Sequence, residues 1–104
     1  MRKSFSANYF QGILQLRPAN ERLMYFIEKQ FLPSSPYWIA QKVILKIGID
    51  YYISSNKFVR ILGRKLKQNF KGELRESIKL HGKDRQTSKK LYRVTVCFRM
   101  RKGL

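Results

Sequence analysis

Apolar and polar residues alternate along several segments of the chain, and this alternation predicts strands. Residues 8–17 alternate in this way, and Pro18, which cannot donate a ladder hydrogen bond, ends the strand. Its two faces are expected to carry Phe10, Leu14 and Leu16 on one side and Tyr9, Ile13 and Arg17 on the other. Residues 42–47 and 49–54 predict two short strands that turn near Gly48, although one long bulged strand fits the same pattern.

Two segments instead repeat their apolar residues every three or four positions, which predicts helices. The first begins after Asn20, a favourable N-cap, and runs to about residue 31. The second covers residues 56–70 and follows three candidate caps at residues 54–56. Its apolar side is formed by Phe58, Ile61, Leu62, Leu66 and Phe70. Gly72 follows this helix and is expected to close it in the left-handed conformation.

Two further alternating segments complete the pattern. Residues 73–80 predict a strand, although Glu76 falls on its apolar face and fits only at a sheet edge or a bulge. Residues 81–90 predict a polar loop, and residues 91–100 predict a last strand. The order β-α-β-β-α-β-β predicts an α+β fold, in which one four- to five-stranded, mostly antiparallel sheet carries two helices on one face. We expect residues 1–104 to form a single domain.

The composition supports a folded domain and narrows its class. Of the 104 residues, 43% are apolar and 13% aromatic, which excludes a disordered polycation. The longest uninterrupted apolar run, residues 23–27, is far shorter than the roughly 18 residues of a membrane span. The single cysteine, Cys97, excludes an internal disulfide and a multi-cysteine zinc site. We therefore predict no metal, no cofactor and no membrane partner, and a cytoplasmic location because no signal peptide is visible.

The charge of the chain is large and unevenly distributed. The sequence holds 23 basic and 6 acidic side chains, a formal net charge of +17. Residues 57–104 carry 16 of the basic and 3 of the acidic side chains. Self-repulsion at this density opposes compaction, so a polyanionic partner is expected. Solubility alone would need far less charge. Nucleic acid is the favoured polyanion, ahead of an anionic membrane surface or an acidic protein.

Residues suited to catalysis are few. The six carboxylates are scattered among lysine and arginine, which favours ion pairing and capping over general acid–base work. His81 fits a solvated loop residue and Cys97 a packed strand residue. No glycine-rich phosphate-binding motif occurs. We therefore predict that the protein is not an enzyme and has no small-molecule substrate; a nuclease would need gathered carboxylates, and only Asp50 and Asp84 lie near predicted contact surfaces.

Three surfaces are predicted to contact RNA. The basic side of the second helix has no acidic residue between Lys57 and Lys71, unlike an ordinary solvated helix face. The uncovered face of the sheet collects cations from two strands, and the loop at residues 82–90 adds four more. The predicted RNA-binding residues are Lys57, Arg60, Arg64, Lys67, Lys71, Arg75, Lys79, Lys83, Arg85, Gln86, Thr87, Lys89, Lys90, Arg93, Arg99, Arg101 and Lys102. Tyr37 and Trp38 fit base stacking and core packing equally well.

Several segments, in their order and spacing, resemble one protein family. They are residues 9–17, 48–55, 84–88 and 91–96, and the likeness runs over about residues 9–99. The pattern resembles the ribosomal large-subunit export adaptor family, nonsense-mediated decay protein three, and its archaeal members in particular. The resemblance implies a domain that docks on the large ribosomal subunit through ribosomal RNA. The positions carried over from it are Asp50, Tyr51, Tyr52, Ser54, Ser55, Asp84, Arg85, Gln86 and Thr87.

Family members also carry N-terminal cysteine pairs that bind zinc, and many continue into β-barrel domains. This sequence has neither, so we expect the one domain to stand alone. The leading hypothesis is a non-catalytic rRNA-binding protein of the ribosome, of the large subunit in particular, that contacts the RNA backbone beside neighbouring ribosomal proteins. One alternative is a ribosome assembly or export factor that binds transiently. Another is a regulator that binds DNA or messenger RNA.

Overall fold

The computed structural model describes residues 9–31, 33–83, 86 and 88–101. Its strands and helices follow the predicted order: β1 (Gly12–Arg17), α1 (Glu21–Glu28), β2 (Ile39–Leu45), β3 (Gly48–Ile53), α2 (Asn56–Asn69), β4 (Gly72–Lys83) and β5 (Lys90–Met100). The strands form one five-stranded sheet in the order β2-β3-β1-β5-β4. β1 and β5 are parallel and the other neighbouring pairs are antiparallel, which confirms the α+β fold with a mostly antiparallel sheet.

The core lies between the sheet and the helices. In the parallel pairing, Leu14 and Leu16 of β1 lie beside Val96 and Phe98 of β5, and all four side chains are buried. The buried residues of α2 are Val59, Leu62, Gly63 and Leu66. A Cβ added to Gly63 would lie 2.9 Å from a methyl group of Val96, so the missing side chain lets the helix approach β5 closely.

A polar contact joins α1 to the same side of the sheet. Tyr51 of β3 donates a hydrogen bond of 2.7 Å to Oε2 of Glu28, and Nζ of Lys42 lies 3.1 Å from the same oxygen. Asn20 caps the helix as predicted, because its Oδ1 accepts from the backbone N–H groups of residues 22 and 23. Two edge-to-face ring pairs link each helix to a residue just beyond the end of the other, Phe26 of α1 with Phe70 and Phe58 of α2 with Phe31. Both helices therefore lie on one face.

The contact between Tyr51 and Glu28 makes stability depend on pH. The hydrogen bond from Tyr51, together with Lys42, lowers the pKa of Glu28 below its ordinary value of 4.5. Burial, and then the bond to Glu28, raises the pKa of Tyr51 above its ordinary value of 10.0. The lowered carboxyl pKa contributes stability above about pH 4.5 that is lost as the pH falls. The raised phenol pKa contributes stability below about pH 10 that is lost as the pH rises.

We expect Tyr51→Phe to lower the free energy of unfolding by about 1.5 kcal/mol at neutral pH, since it removes a hydrogen bond to a charged group. The difference from wild type should shrink below about pH 4.5, where Glu28 is protonated first in the unfolded chain, and above about pH 10, where Tyr51 ionises first in the unfolded chain. Urea denaturation, followed by circular dichroism at acidic, neutral and alkaline pH, measures this difference. A difference that stays constant across the pH range would contradict the assignment.

The ends of several elements differ from the predictions. β1 begins at Gly12 rather than at residue 8, and α1 ends at Glu28 rather than near residue 31. Phe10 therefore lies outside the strand, and its ring meets Tyr52 edge to face at 4.9 Å on the face opposite to the predicted one. Residues 81–83 belong to β4 and Lys90 to β5, so the predicted polar loop is shorter. Backbone pairing between these two strands continues past the end of the core.

The fold also tests two predictions from the sequence, one for a glycine and one for a carboxylate. The left-handed conformation predicted for Gly72 is wrong, because no glycine in the described ranges has a positive φ. Gly72 instead permits close strand contact, since an added Cβ would lie 2.5 Å from the carbonyl oxygen of Arg99. Glu76 lies on the edge strand β4, one of the two expected positions, and its Oε2 is 2.6 Å from Nε of Arg60.

Candidate nucleic-acid interface

The paired strands β4 and β5 continue beyond the core as a protruding ribbon, which we call the β-arm and define as residues 77–83 and 90–92. Every residue from 77 to 81 and from 90 to 92 is exposed. The described part of the molecule is correspondingly elongated, with principal extents of 51, 29 and 25 Å. Lys79, Lys83 and Lys90 are exposed on the β-arm. The β-arm therefore presents cations on a two-stranded scaffold that projects from the domain.

The base of the β-arm is fixed by Asn56, the first residue of α2. Its Nδ2 donates to the carbonyl oxygen of Tyr92 at 2.8 Å, and its Oδ1 accepts from the backbone N–H of Val94 at 3.0 Å. These two bonds give backbone polar groups of β5 hydrogen-bond partners just before its pairing with β1 begins at Thr95. The β-arm consequently leaves the core at a defined point, with its direction held by the start of a helix.

Arg93 occupies the junction between the β-arm and the open face of the sheet. Its guanidinium lies 4.4 Å from the ring centroid of Phe10, and its Nε donates to the carbonyl oxygen of Gln11 at 3.3 Å. A second guanidinium nitrogen lies 3.2 Å from Nε2 of His81. His81, expected as a solvated loop residue, is thus a strand residue in contact with a cation. These contacts position the half-buried Arg93 and leave it less available than the exposed lysines of the β-arm.

The open face of the sheet is basic in the part that β4 and β5 form. The register of β4 and β5 places Arg75, Lys79 and Arg99 on the face that the helices leave uncovered, together with the half-buried Cys97. Glu73 shares this face, with its Oε1 4.0 Å from Nε of Arg75. The predicted cluster of cations is therefore interrupted by one carboxylate at the end where β4 begins.

The cations of α2, together with Lys71 just after it, divide into exposed and engaged side chains. Lys57, Arg64 and Lys71 are exposed. Lys67 is also exposed, and its Nζ donates to the carbonyl oxygen of Gly72 at 2.8 Å. Arg60 is engaged by Glu76 of β4. The exposed side chains form a basic strip along the helix, whereas Arg60 ties the helix to the sheet.

A groove of about 1060 Å³, here called the end groove, lies where β1 and β5 end and β4 begins. It is lined by Arg17, Pro18, Asn20, Lys46, Ile47, Glu73, Arg99, Met100 and Arg101. Arg99 and Arg101 were expected to bind RNA, whereas Arg17 and Lys46 were not. The sequence offers no signal for this groove, because its walls come from four segments that only the fold brings together.

Arg17 stabilises the end groove rather than offering a free charge to it. Its guanidinium lies 2.9 Å from Oδ1 of Asp50, and both side chains are buried. The same guanidinium donates to the carbonyl oxygens of Leu16 at 2.9 Å and Ile49 at 3.4 Å. Asp50, one of the two carboxylates named above for a nuclease, is therefore occupied by an ion pair between β1 and β3.

Most positions carried over from the family resemblance hold the fold. Tyr51 bonds Glu28, and the hydroxyl of Ser54 accepts from the backbone N–H of Trp38 at 3.1 Å. Ser55 is the N-cap of α2 and accepts from the backbone N–H of residue 58 at 3.1 Å. Tyr37 stacks on Phe58 with ring centroids 4.7 Å apart, which favours packing over base stacking for this ring. Among the carried-over positions and the predicted RNA-binding residues, Asp84, Arg85, Thr87 and Lys102 lie outside the described residues. Gln86 and Lys89 are exposed.

The described residues lack two further kinds of feature. No helix among them is long and apolar enough to cross a membrane. They also contain no group of three or more histidine, cysteine, aspartate or glutamate side chains arranged to hold a metal ion.

Comparison with known protein families gives a match that covers most of the chain. The family model for NMD3, second domain, matches residues 9–100. This range begins just before β1 and ends with β5, so it covers both helices and the whole described sheet. No curated protein matches the chain significantly.

Proposed function

The chain belongs to the NMD3 family, and we propose that it is a ribosome-associated factor that binds large-subunit ribosomal RNA transiently during subunit assembly or export. The sequence alone favours a resident ribosomal protein, but the family match supports the transient factor instead. The proposed partners are ribosomal RNA and the ribosomal proteins beside it, and the proposed location is the cytoplasm. We also propose that the protein acts by binding and is not an enzyme.

The β-arm is the observation that carries the RNA-binding proposal. Its side chains are exposed over residues 77–81 and 90–92, so it contributes little to the core of its own domain. The charged side chains within residues 77–83 and 90–92, namely Lys79, Lys83 and Lys90, are all cationic. A narrow basic ribbon suits a partner with closely spaced phosphates and a surface deep enough to receive it, as folded RNA has.

Contacts to phosphate would supply most of the affinity. Lysines on the β-arm and the exposed cations of α2 release condensed counterions when they bind, so binding weakens steeply with salt. Eight such contacts would give a slope near about −6 for log K against log salt concentration. Backbone contacts carry little sequence information, so recognition would depend on the shape of the folded RNA. The fixed base of the β-arm supports recognition by shape, because an arm held in one direction limits the RNA shapes that the protein can fit.

Sedimentation of a native extract through a sucrose gradient tests the proposal. At low salt, we expect the protein to migrate with free large subunits or their precursors and to be scarce in polysomes. At about 0.5 M salt it should move to the top of the gradient, because its contacts are electrostatic. Small-subunit particles in the same gradient serve as the control.

Two outcomes would contradict the proposal. Stoichiometric presence in polysomes, resistant to high salt, would identify a resident ribosomal protein. Recovery only at the top of the gradient at low salt would remove the ribosome as its partner, and a shift assay with duplex DNA would then test the regulator alternative.

A further inference from the structure

We propose that the end groove holds one unstacked nucleotide of the bound RNA, an inference that rests on the proposed RNA-binding function. A nucleotide presents an anionic phosphate and an apolar base face, and the groove offers partners for both. Its volume of about 1060 Å³ lies at the upper end of the range of roughly 300–1,000 Å³ typical of small-ligand sites. The groove is therefore large enough for a base together with its sugar and phosphate.

Cations at the rim provide the phosphate contact. Lys46 and Arg101 are exposed, and neither forms an ion pair with another residue in the described ranges. Arg99 is also exposed but lies directly across the β4–β5 pairing from Glu73, which partly neutralises it. Arg17 is already bound to Asp50 and forms part of the wall. Lys46 and Arg101 therefore carry most of the unbalanced positive charge in the groove.

Apolar side chains provide the base contact. Pro18, Ile47 and Met100 line the groove between these cations. Ile47 is 66% exposed, a large uncovered apolar surface for a residue surrounded by charge. A base lying against these side chains would remove apolar surface from water while its phosphate stayed at the cationic rim. Bases within a duplex are stacked and paired, so only a nucleotide from a loop or bulge could enter in this way.

The walls of the groove are held in place before any ligand binds. Gly48 packs against the backbone of β1, where an added Cβ would collide with the carbonyl oxygen of Leu16, so the turn bearing Lys46 and Ile47 lies close to the end of β1. The backbone N–H of Arg101 donates to the carbonyl oxygen of Lys71 at 2.9 Å. Glu73 repels phosphate and accepts hydrogen bonds, which directs the phosphate towards Lys46 and Arg101 and an N–H edge of the base towards the carboxylate.

A pair of RNA hairpins tests the inference with the full chain. The two hairpins are identical except that one carries a single bulged 2-aminopurine nucleotide, and a terminal fluorophore reports binding by anisotropy. The test variant is Ile47→Ser, which removes an apolar wall and leaves every charge. The matched control is Ile44→Ser, because Ile44 is 70% exposed on the same hairpin but does not line the groove. Circular dichroism confirms that both variants are folded.

We expect wild type to bind the bulged hairpin about tenfold more tightly than the paired one, with a rise in 2-aminopurine emission as the base leaves its stack. Ile47→Ser should reduce this preference to about twofold, whereas Ile44→Ser should keep it. Equal binding of the two hairpins by wild type, or equal preferences in the two variants, would overturn the groove inference and leave the proposed function standing. Failure to bind either hairpin at low salt would contradict the proposed function itself.

Discussion

Replacing Asp50 by alanine is expected to lower the free energy of unfolding by about 3 kcal/mol, because it leaves the guanidinium of Arg17 buried without its counterion. The two side chains are only 9% and 13% exposed, so water cannot readily replace the lost carboxylate. The ion pair also joins β1 to β3 across the sheet, at 2.9 Å. Urea denaturation at neutral pH, followed by circular dichroism, measures the loss.

Two controls separate the buried ion pair from a general effect of charge. Glu73→Ala removes a carboxylate from the same face that is 64% exposed, and should change stability by less than about 0.5 kcal/mol. The double variant Arg17→Met, Asp50→Ala removes both charges and should recover at least about half of the loss. If Asp50→Ala were as stable as wild type, or if the double variant were less stable than Asp50→Ala, the role given to this pair would be wrong.

Removal of charge from the β-arm is expected to have the largest effect on RNA binding. Replacing Lys79, Lys83 and Lys90 together by glutamine should weaken binding to large-subunit ribosomal RNA by roughly two orders of magnitude at about 0.1 M salt. The slope of log K against log salt should become shallower by about 2, roughly 0.7 for each lost phosphate contact. Filter binding or anisotropy over a series of salt concentrations gives both quantities.

A second triple variant provides the matched control. Replacing Arg22, Lys29 and Lys42 by glutamine removes the same net charge from α1 and β2, at a distance from the β-arm in the strand order. Its ion pair between Lys42 and Glu28 is exposed and contributes little stability. We expect this variant to bind RNA within about threefold of wild type. Equal losses from the two triple variants would indicate a nonspecific field rather than contact through the β-arm.

Periodicity predicted α2 and β1 well because one face of each is buried. Leu62 and Leu66 of α2, and Leu14 and Leu16 of β1, are all fully buried at the spacings that the sequence displays. The structure also decides between the two interpretations left open near Gly48, because β2 and β3 are separate strands that pair as a hairpin. The local hydrophobic pattern was sufficient to predict an element wherever buried side chains recur with the period of a helix or a strand.

The neighbours of each strand could not be predicted in the same way. β1 lies parallel to β5, a partner some 80 residues later in the chain, and alternation indicates only which face a side chain occupies. The extent of the β-arm was missed for a related reason. Residues 81–83 are polar, and their strand structure comes from backbone pairing with β5 rather than from burial.

The charge pattern of the sequence identified the basic half of the molecule but not which cations are engaged by other side chains. Arg60 and Arg93 look like their exposed neighbours in sequence, yet each is engaged by another side chain. The reverse holds for Lys46, which lies in the less basic half and still reaches the end groove. Whether a cation is available depends on partners from distant segments, and only the fold specifies those.

The central claim is that this small domain presents cations to large folded ribosomal RNA. The most direct measurement is the affinity of the wild-type chain for purified large-subunit ribosomal RNA over a range of salt concentrations, beside duplex DNA of the same nucleotide concentration. We predict a slope of log K near about −6 and clearly tighter binding to the folded RNA at every salt concentration. A slope shallower than about −2, or equal affinity for the two nucleic acids, would contradict the account.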